Sequence, residues 1–279
     1  MSGLDPATDI DLVICATSSS EDLFGDATSI ARDLGCQKAM AFDLTAACSG
    51  FLFALVTAGQ FLQNGSAQNV LVVGADALSR WVDWTDRNSC ILFGDGAGAM
   101  VLTKQQPSSS SSGQEEGDDS PGLLGYSAHS DGEGYSKLNL EYSGSPNVVS
   151  TPGDGTTLSS GSYKPISMEG REVYKFATRE VPAVLTEALD AAGISVDQVD
   201  WLLLHQANIR IMEAVADRLG IPMEKVIANL SKYGNTSAAS IPLALDEAVR
   251  EGKVKKGDIV ACAGFGAGLS WGAAILRWG

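Results

Sequence analysis

Cys48 closes the run Phe42-Asp-Leu-Thr-Ala-Ala-Cys48, and a long apolar stretch, Ser49-Gly-Phe-Leu-Phe-Ala-Leu55, follows it directly. That pattern predicts a strand, then a helix, with the thiol at the helix start. Unpaired backbone N–H groups and the positive helix end favour thiolate over thiol there, which is how a cysteine becomes a nucleophile near neutral pH. Ala46, Ala47, Ser49 and Gly50 leave room for a ligand to approach. Position alone leaves a second reading open, a buried and inert cysteine. Cys15, Cys36, Cys90 and Cys262 lack the strand-then-helix setting and read as inert.

The chain has only two histidines. His205 ends the apolar run Trp201-Leu-Leu-Leu-His205, ahead of Gln-Ala-Asn and a helix. A side chain at the carboxyl end of a strand in an α/β sheet points toward the crevice where ligands bind. A satisfied core histidine fits the same position. His129, in Ser127-Ala-His-Ser-Asp-Gly132, reads as structural or exposed. Asn235, in Tyr233-Gly-Asn-Thr-Ser-Ala-Ala-Ser240, precedes a helix. It either caps that helix or donates its amide hydrogens to a developing oxyanion. Phe265, Gly266, Ala267 and Gly268 form a glycine-rich loop whose backbone N–H groups suit the same task.

These residues need a layered frame, and the chain supplies one. Strands are predicted at 10–16, 39–44, 69–74, 200–204, 258–264 and 270–277. Another spans 91–103, broken by Gly94-Asp-Gly-Ala-Gly98. Helices alternate with them at 26–34, 49–64, 168–192, 208–219 and 237–251, with Pro182 breaking or kinking its helix. The alternation indicates an α/β fold. It is also duplicated. Asp11-Leu-Val-Ile14 leads to a helix ending Ile30-Ala-Arg-Asp-Leu-Gly35, and Asp200-Trp-Leu-Leu-Leu204 leads to one ending Val215-Ala-Asp-Arg-Leu-Gly220. The predicted organisation is an N-terminal half at 1–103, a connecting region at 104–165 and a C-terminal half at 166–279. Within the connection, the serine-rich, acidic tract at 104–121 reads as a flexible surface insertion.

Composition narrows the classes. With 19 basic and 34 acidic residues the net charge is −15, which argues against nucleic acid or an anionic membrane as the main partner. The longest apolar run, 46–62, is interrupted by Cys48, Ser49 and Gln60, so no membrane insertion is expected. Five cysteines without a C-x-x-C pair argue against a metal site or a disulfide framework and fit a reducing compartment. The first residues show neither a signal peptide nor a transit segment, so the chain reads as cytoplasmic, or as one whose targeting segment is absent.

Ala46-Ala-Cys-Ser-Gly50, His205-Gln-Ala-Asn208 with Arg210, the Gly-Asn-Thr-Ser-Ala-Ala-Ser run at 234–240, and Gly264-Phe-Gly-Ala-Gly-Leu-Ser-Trp271 together resemble β-ketoacyl-acyl carrier protein synthase III. The resemblance runs from near residue 10 to the end, apart from 104–121 and a weak stretch at 138–165. Trp81-Val-Asp-Trp-Thr-Asp-Arg87 and the ending Arg277-Trp-Gly279 look most like the plastid enzymes of plants and algae, which implies a plastid stroma if the source is one of these.

The resemblance implies a thiolase fold, two βα halves in a five-layer α-β-α-β-α sandwich, and a homodimer. It implies a Claisen condensation that starts fatty-acid synthesis, with acetyl-CoA and malonyl-acyl carrier protein as substrates and no resident cofactor. Cys48 takes the acetyl group, and backbone N–H groups of Cys48 and the 265–268 loop hold its carbonyl. His205 and Asn235 then stabilise the enolate left when malonyl loses CO₂. Elongating synthases of this fold use Cys-His-His, so Asn235 favours initiation. Arg87, Gly170, Arg171, Tyr174, Ala207, Asn208 and Arg210 match the CoA-binding region, and Lys175, Gln206 and Arg210 match the carrier-protein docking face. The family's basic pair on the helix after His205 is here Asp217-Arg218, a departure that weakens that face.

Family members begin with a further strand and helices before the segment matching 9–17. The resemblance therefore implies an incomplete chain, its first sheet short of an interior strand, with poor solubility and weak CoA affinity. Three alternatives remain beside this reading. A papain-like protease shares the Cys, His, Asn order but needs a Gln before the cysteine and a Cys-Trp motif, both absent. Polyketide (chalcone-type) and hydroxymethylglutaryl-CoA synthases share the triad in a different sequence context. An inactive thiolase-fold subunit is opposed by the intact triad.

Overall fold

The structure is a computed structural model and describes residues 3–104, 120–151 and 154–279. Most of the serine-rich tract expected to be a surface insertion lies outside the described residues.

Strands buried on both faces carry near-continuous apolar runs, and two such strands centre two mixed sheets. In the first, β1 (Leu12–Ala16) is wholly buried and runs parallel to β2 (Met40–Leu44) and β3 (Asn69–Ala77). β4 (Asp95–Thr103) pairs antiparallel with β3, giving the order β2-β1-β3-β4. The second sheet is built from β5 (Gly122–Ser130), β6 (Trp201–Leu204), β7 (Val226–Ile227), β8 (Ile259–Gly266) and β9 (Ser270–Arg277), in the order β7-β6-β8-β9-β5. There β6 is parallel to β7 and β8, and β9 is antiparallel to β8. The order of the first four strands repeats that of the first sheet, as the internal duplication predicts.

Helix α1 (Ala27–Asp33) covers the outer face of the first sheet, and α2 (Gly50–Gln63) lies between the sheets. The outer face of the second sheet carries α3 (Gly170–Ala192) and α4 (Ile209–Leu219), while α5 (Ser240–Arg250) returns to the middle layer. Strand alternation assigns the faces. Leu12 and Ile14 turn to the middle layer with Leu203, whereas Val13 and Cys15 meet α1, and Leu202 and Leu204 meet α3 and α4. The result is the expected five-layer α-β-α-β-α sandwich. Because α2 is enclosed by sheets, it is apolar almost all round, unlike the amphipathic α3.

Several expectations are corrected. Pro182 does not break its helix: it sits inside the 23-residue α3, whose apolar face is buried along the second sheet. Gly94 to Gly98 do not break a strand; Gly96 and Gly98 lie within β4. A Cβ at Gly98 would lie 2.8 Å from the backbone nitrogen of Leu243, so these glycines admit α5 at close approach. The stretch assigned to the connection contains β5, an edge strand of the second sheet. His129 lies on that strand, against Trp271 and 2.6 Å from Glu187. The first sheet lacks no interior strand: its four strands are contiguous, and the second sheet's extra strand, β5, is at an edge.

Candidate active site

Cys48 occupies a short turn, Ala47–Ser49, between β2 and α2. Ala47 adopts φ 47°, unusual for a residue with a Cβ. Ser49 Oγ fixes the turn, with Ala46 O and Ser270 Oγ each 2.8 Å away. The thiol is buried, and Ser237 Oγ donates to its sulfur at 3.3 Å. Burial pushes the thiol up to about 12, the Asp76 carboxylate pushes it the same way, and the Ser237 and Cys48 hydrogen bonds only partly oppose this. The expected thiolate is therefore corrected: desolvation outweighs the helix start, and the resting group is a neutral thiol.

Gly266, at the end of β8, lies against this turn. A Cβ there would sit 2.6 Å from the Cys48 nitrogen. Phe265 and Gly266 are buried within β8, and Ala267 and Gly268 form the turn beyond it.

His205 follows β6 and is buried. Its Nδ1 lies 2.7 Å from Ser240 Oγ, and its ring meets the Phe265 ring edge-on at 5.5 Å. Burial lowers its pKa to about 3, so the imidazole is neutral at ordinary pH. Asn235 is buried too, its backbone clamped to the first half: its N–H donates to Leu92 O and its carbonyl accepts from Gly94 N, both at 2.8 Å. The side-chain oxygen accepts from Ser237 N at 2.9 Å. Asn235 thus caps the turn before α5 through Oδ1, which leaves its two amide hydrogens for another partner.

Contacts link all three residues. Cys48 touches Ser237, which Asn235 holds, and His205 touches Phe265, whose neighbour Gly266 lies against Cys48. They gather where the two halves meet. That arrangement can acylate a sulfur and then stabilise negative charge with two neutral groups.

Two family profiles match this sequence: 3-oxoacyl-[acyl-carrier-protein] synthase III over residues 42–120, and the C-terminal part of the same family over 189–278. The β-ketoacyl-[acyl-carrier-protein] synthase III of Trichormus variabilis is 58% identical over 273 residues, 98% of this chain and 78% of the relative. The chain belongs to the β-ketoacyl-acyl carrier protein synthase III family. Among solved structures, the synthase III of Aquifex aeolicus is 41% identical with a TM-score of 0.83, covering 99% of this chain and 79% of that one. That of Thermus thermophilus is 40% identical with a TM-score of 0.84, covering 99% and 80%.

In this synthase III chain the other predicted positions separate by exposure. Arg87, Gly170, Arg171, Tyr174, Lys175 and Arg210 reach the surface, and Ala207 and Asn208 are half-buried. Asn208 caps α4, accepting from Arg210 N at 2.9 Å, and Lys175 pairs with Glu172 at 2.7 Å. Gln206 is a correction. It is 0% exposed, its amide donates to Leu204 O and Ile227 O, and its oxygen accepts from Asn229 N and Leu230 N. It ties β6 to the segment after β7 and cannot touch a carrier protein.

Sequence reasoning missed three residues here: Ser237, Ser240 and Asp76. Asp76 is buried on β3 and accepts from Ser18 N and Ser19 Oγ at 2.8 Å and from Ala238 N at 3.2 Å. A lone carboxylate ending the run Asn69-Val-Leu-Val-Val-Gly-Ala was the available signal.

Proposed function

We propose that the chain carries out the initiating condensation of fatty-acid synthesis, joining acetyl-CoA to malonyl-acyl carrier protein to give acetoacetyl-acyl carrier protein, CoA and CO₂. The observation that carries this reading is the convergence of buried Cys48, His205 and Asn235, within the synthase III family. Cys48 sulfur attacks the acetyl carbonyl, the carbon–sulfur bond to CoA breaks, and the thiol proton leaves on CoA. Phe265 to Gly268 and the Cys48 N–H border the carbonyl oxygen of the acyl-enzyme. Malonyl then loses CO₂, and the electron pair of the broken bond becomes an enolate. His205 and Asn235, both neutral donors, stabilise it. Its carbon attacks the acetyl carbonyl and Cys48 departs. The two thioesters and one proton from water, which returns the departing Cys48 to its thiol, supply every atom, and the sum needs no oxidant or reductant.

Arg87, Arg171, Tyr174 and Arg210 are the surface positions proposed for the CoA nucleotide and arm, with Lys175 and Arg210 facing the carrier protein. The homodimer reading is supported by β2, an edge strand bordered by Leu23 and Phe24, which are 89% and 95% exposed. Such an edge with apolar neighbours suits a second copy across a two-fold axis. The cyanobacterial relatives are in keeping with a plastid-type enzyme. Labelled acetyl-CoA with malonyl-acyl carrier protein tests the reaction. Labelled acetoacetyl-acyl carrier protein is expected, and a preference for long acyl-carrier-protein primers would overturn initiation.

A further inference from the structure

His205 Nδ1 and Ser240 Oγ lie 2.7 Å apart, and a heavy-atom distance does not say which one carries the proton. Donor counting does. A serine hydroxyl has one hydrogen and two lone pairs. Gln206 N–H points into Ser240 Oγ at 3.4 Å and fills one lone pair. Among the described residues, His205 Nδ1 is the only acceptor within hydrogen-bond distance of that hydroxyl. If Nδ1 carried the hydrogen, the serine oxygen would accept twice and its own hydrogen, on a residue only 1% exposed, would have no partner. A buried donor left unpaired is the disfavoured arrangement.

We propose that Ser240 is a positioning residue that donates its hydroxyl hydrogen to His205 Nδ1 and so fixes the imidazole proton on Nε2. The serine oxygen is itself well placed. Ser240 is the first residue of α5, which is anchored in the middle layer by Ile241 and Leu245. The Phe265 ring limits rotation of the imidazole from another side. The ring is neutral through burial, so the choice is between two tautomers and not between charge states. With hydrogen on Nε2, His205 offers a donor to a developing oxyanion. The opposite tautomer would offer a lone pair and repel it.

The consequence for catalysis rests on the proposed role of His205 toward the malonyl thioester, while the tautomer is readable without turnover. The experiment is long-range ¹H–¹⁵N correlation on the full chain with labelled histidine, at about pH 8, where the unperturbed group is also neutral. Two histidines give two imidazoles, and His129→Gln assigns them. The expected spectrum for His205 has an unprotonated Nδ1 and a protonated Nε2. Ser240→Ala is expected to move the Nδ1 resonance and to slow malonyl decarboxylation by about 10- to 100-fold, the scale on which the outer partners of metal-bound imidazoles act. Acetylation of Cys48 should change far less, and Ser240→Thr, which restores a hydroxyl, should recover both readouts. A protonated Nδ1 in the unaltered chain overturns the proposal even if Ser240→Ala fails to fold. So does a Ser240→Ala chain with unchanged tautomer and decarboxylation. If Nε2 carries the proton but the unaltered chain does not decarboxylate malonyl-acyl carrier protein, the tautomer assignment is upheld and the synthase reading falls.

Discussion

The Asp76 carboxylate, on β3 of the first half, accepts the backbone N–H of Ala238 from the second half at 3.2 Å. Two residues earlier, Gly74 lies so close to that loop that a Cβ would come within 2.3 Å of Ala238 O. Ser237, next to Ala238, holds φ 51° and places its hydroxyl on the Cys48 sulfur. Asp76 therefore sets a strained turn on which two active-site groups depend. Asp76→Ala leaves Ser18 N, Ser19 Oγ and Ala238 N without their acceptor, and a loss of about 3 kcal/mol in unfolding free energy is expected. Asp76→Asn removes a charge that raises the Cys48 thiol. Alkylation of Cys48, followed peptide by peptide against pH, should then shift to lower pH; an upward shift contradicts the assignment.

His205 makes stability depend on acid. Its folded pKa is lowered from 6.5 to about 3. Above the unfolded value both states are neutral and the full stability is present. Below it the unfolded chain binds a proton that the folded chain refuses, so stability falls as pH drops toward the folded value, by about 1.4 kcal/mol per pH unit within that window. Other groups also titrate there, so the readout is the difference between the parent and His205→Gln in urea unfolding. That difference should shift steadily against the parent from about pH 7 to 5. A pH-independent difference contradicts a neutral, buried imidazole.

Gly266→Ala tests the close approach of β8 to the nucleophile. The new methyl would meet the Cys48 nitrogen at 2.6 Å and Ala47 Cβ at 3.1 Å, neither at the end of a flexible side chain. Overpacking of this kind costs about 1–3 kcal/mol. Acetylation by acetyl-CoA is expected to fall more steeply than thermal stability, because the displaced atoms border the proposed carbonyl site. Normal acetylation in a stable Gly266→Ala chain would place the carbonyl elsewhere.

Cys48, His205 and Asn235 were legible because each stands at a strand end or helix start within a short polar or glycine-rich signature. The duplicated strand order was legible for the same reason, as apolar runs repeat in both halves. Burial was not. The helix start at Cys48 suggested a thiolate, but only the packed seam between the halves shows the desolvation that keeps the proton on sulfur. Gln206 follows His205 in sequence, yet its side chain turns inward to bind four backbone groups. Gly96 and Gly98 looked like breakers because the helix they admit, α5, lies more than a hundred residues away. β5 escaped notice because an edge strand with polar positions carries a weak apolar signal.

His205→Ala and Asn235→Ala should separate the two half-reactions. Both side chains are neutral donors proposed to act on the enolate, whereas acetyl transfer is proposed to depend on Cys48 and backbone N–H groups. Removing one such donor costs about 100-fold or more in the step it serves. Malonyl decarboxylation, followed by release of labelled CO₂, is expected to fall by that order, with acetylation of Cys48 reduced far less. Equal loss in both assays contradicts the division of roles.

The most direct measurement is the intact mass of the chain after incubation with acetyl-CoA, before and after adding malonyl-acyl carrier protein. One acetyl group is expected, mapped to the Cys48 peptide, absent in Cys48→Ala, and discharged when the malonyl substrate arrives. An acetyl group that persists in Cys48→Ala, or one that malonyl-acyl carrier protein does not remove, contradicts Cys48 as the acyl-carrying nucleophile of this condensation.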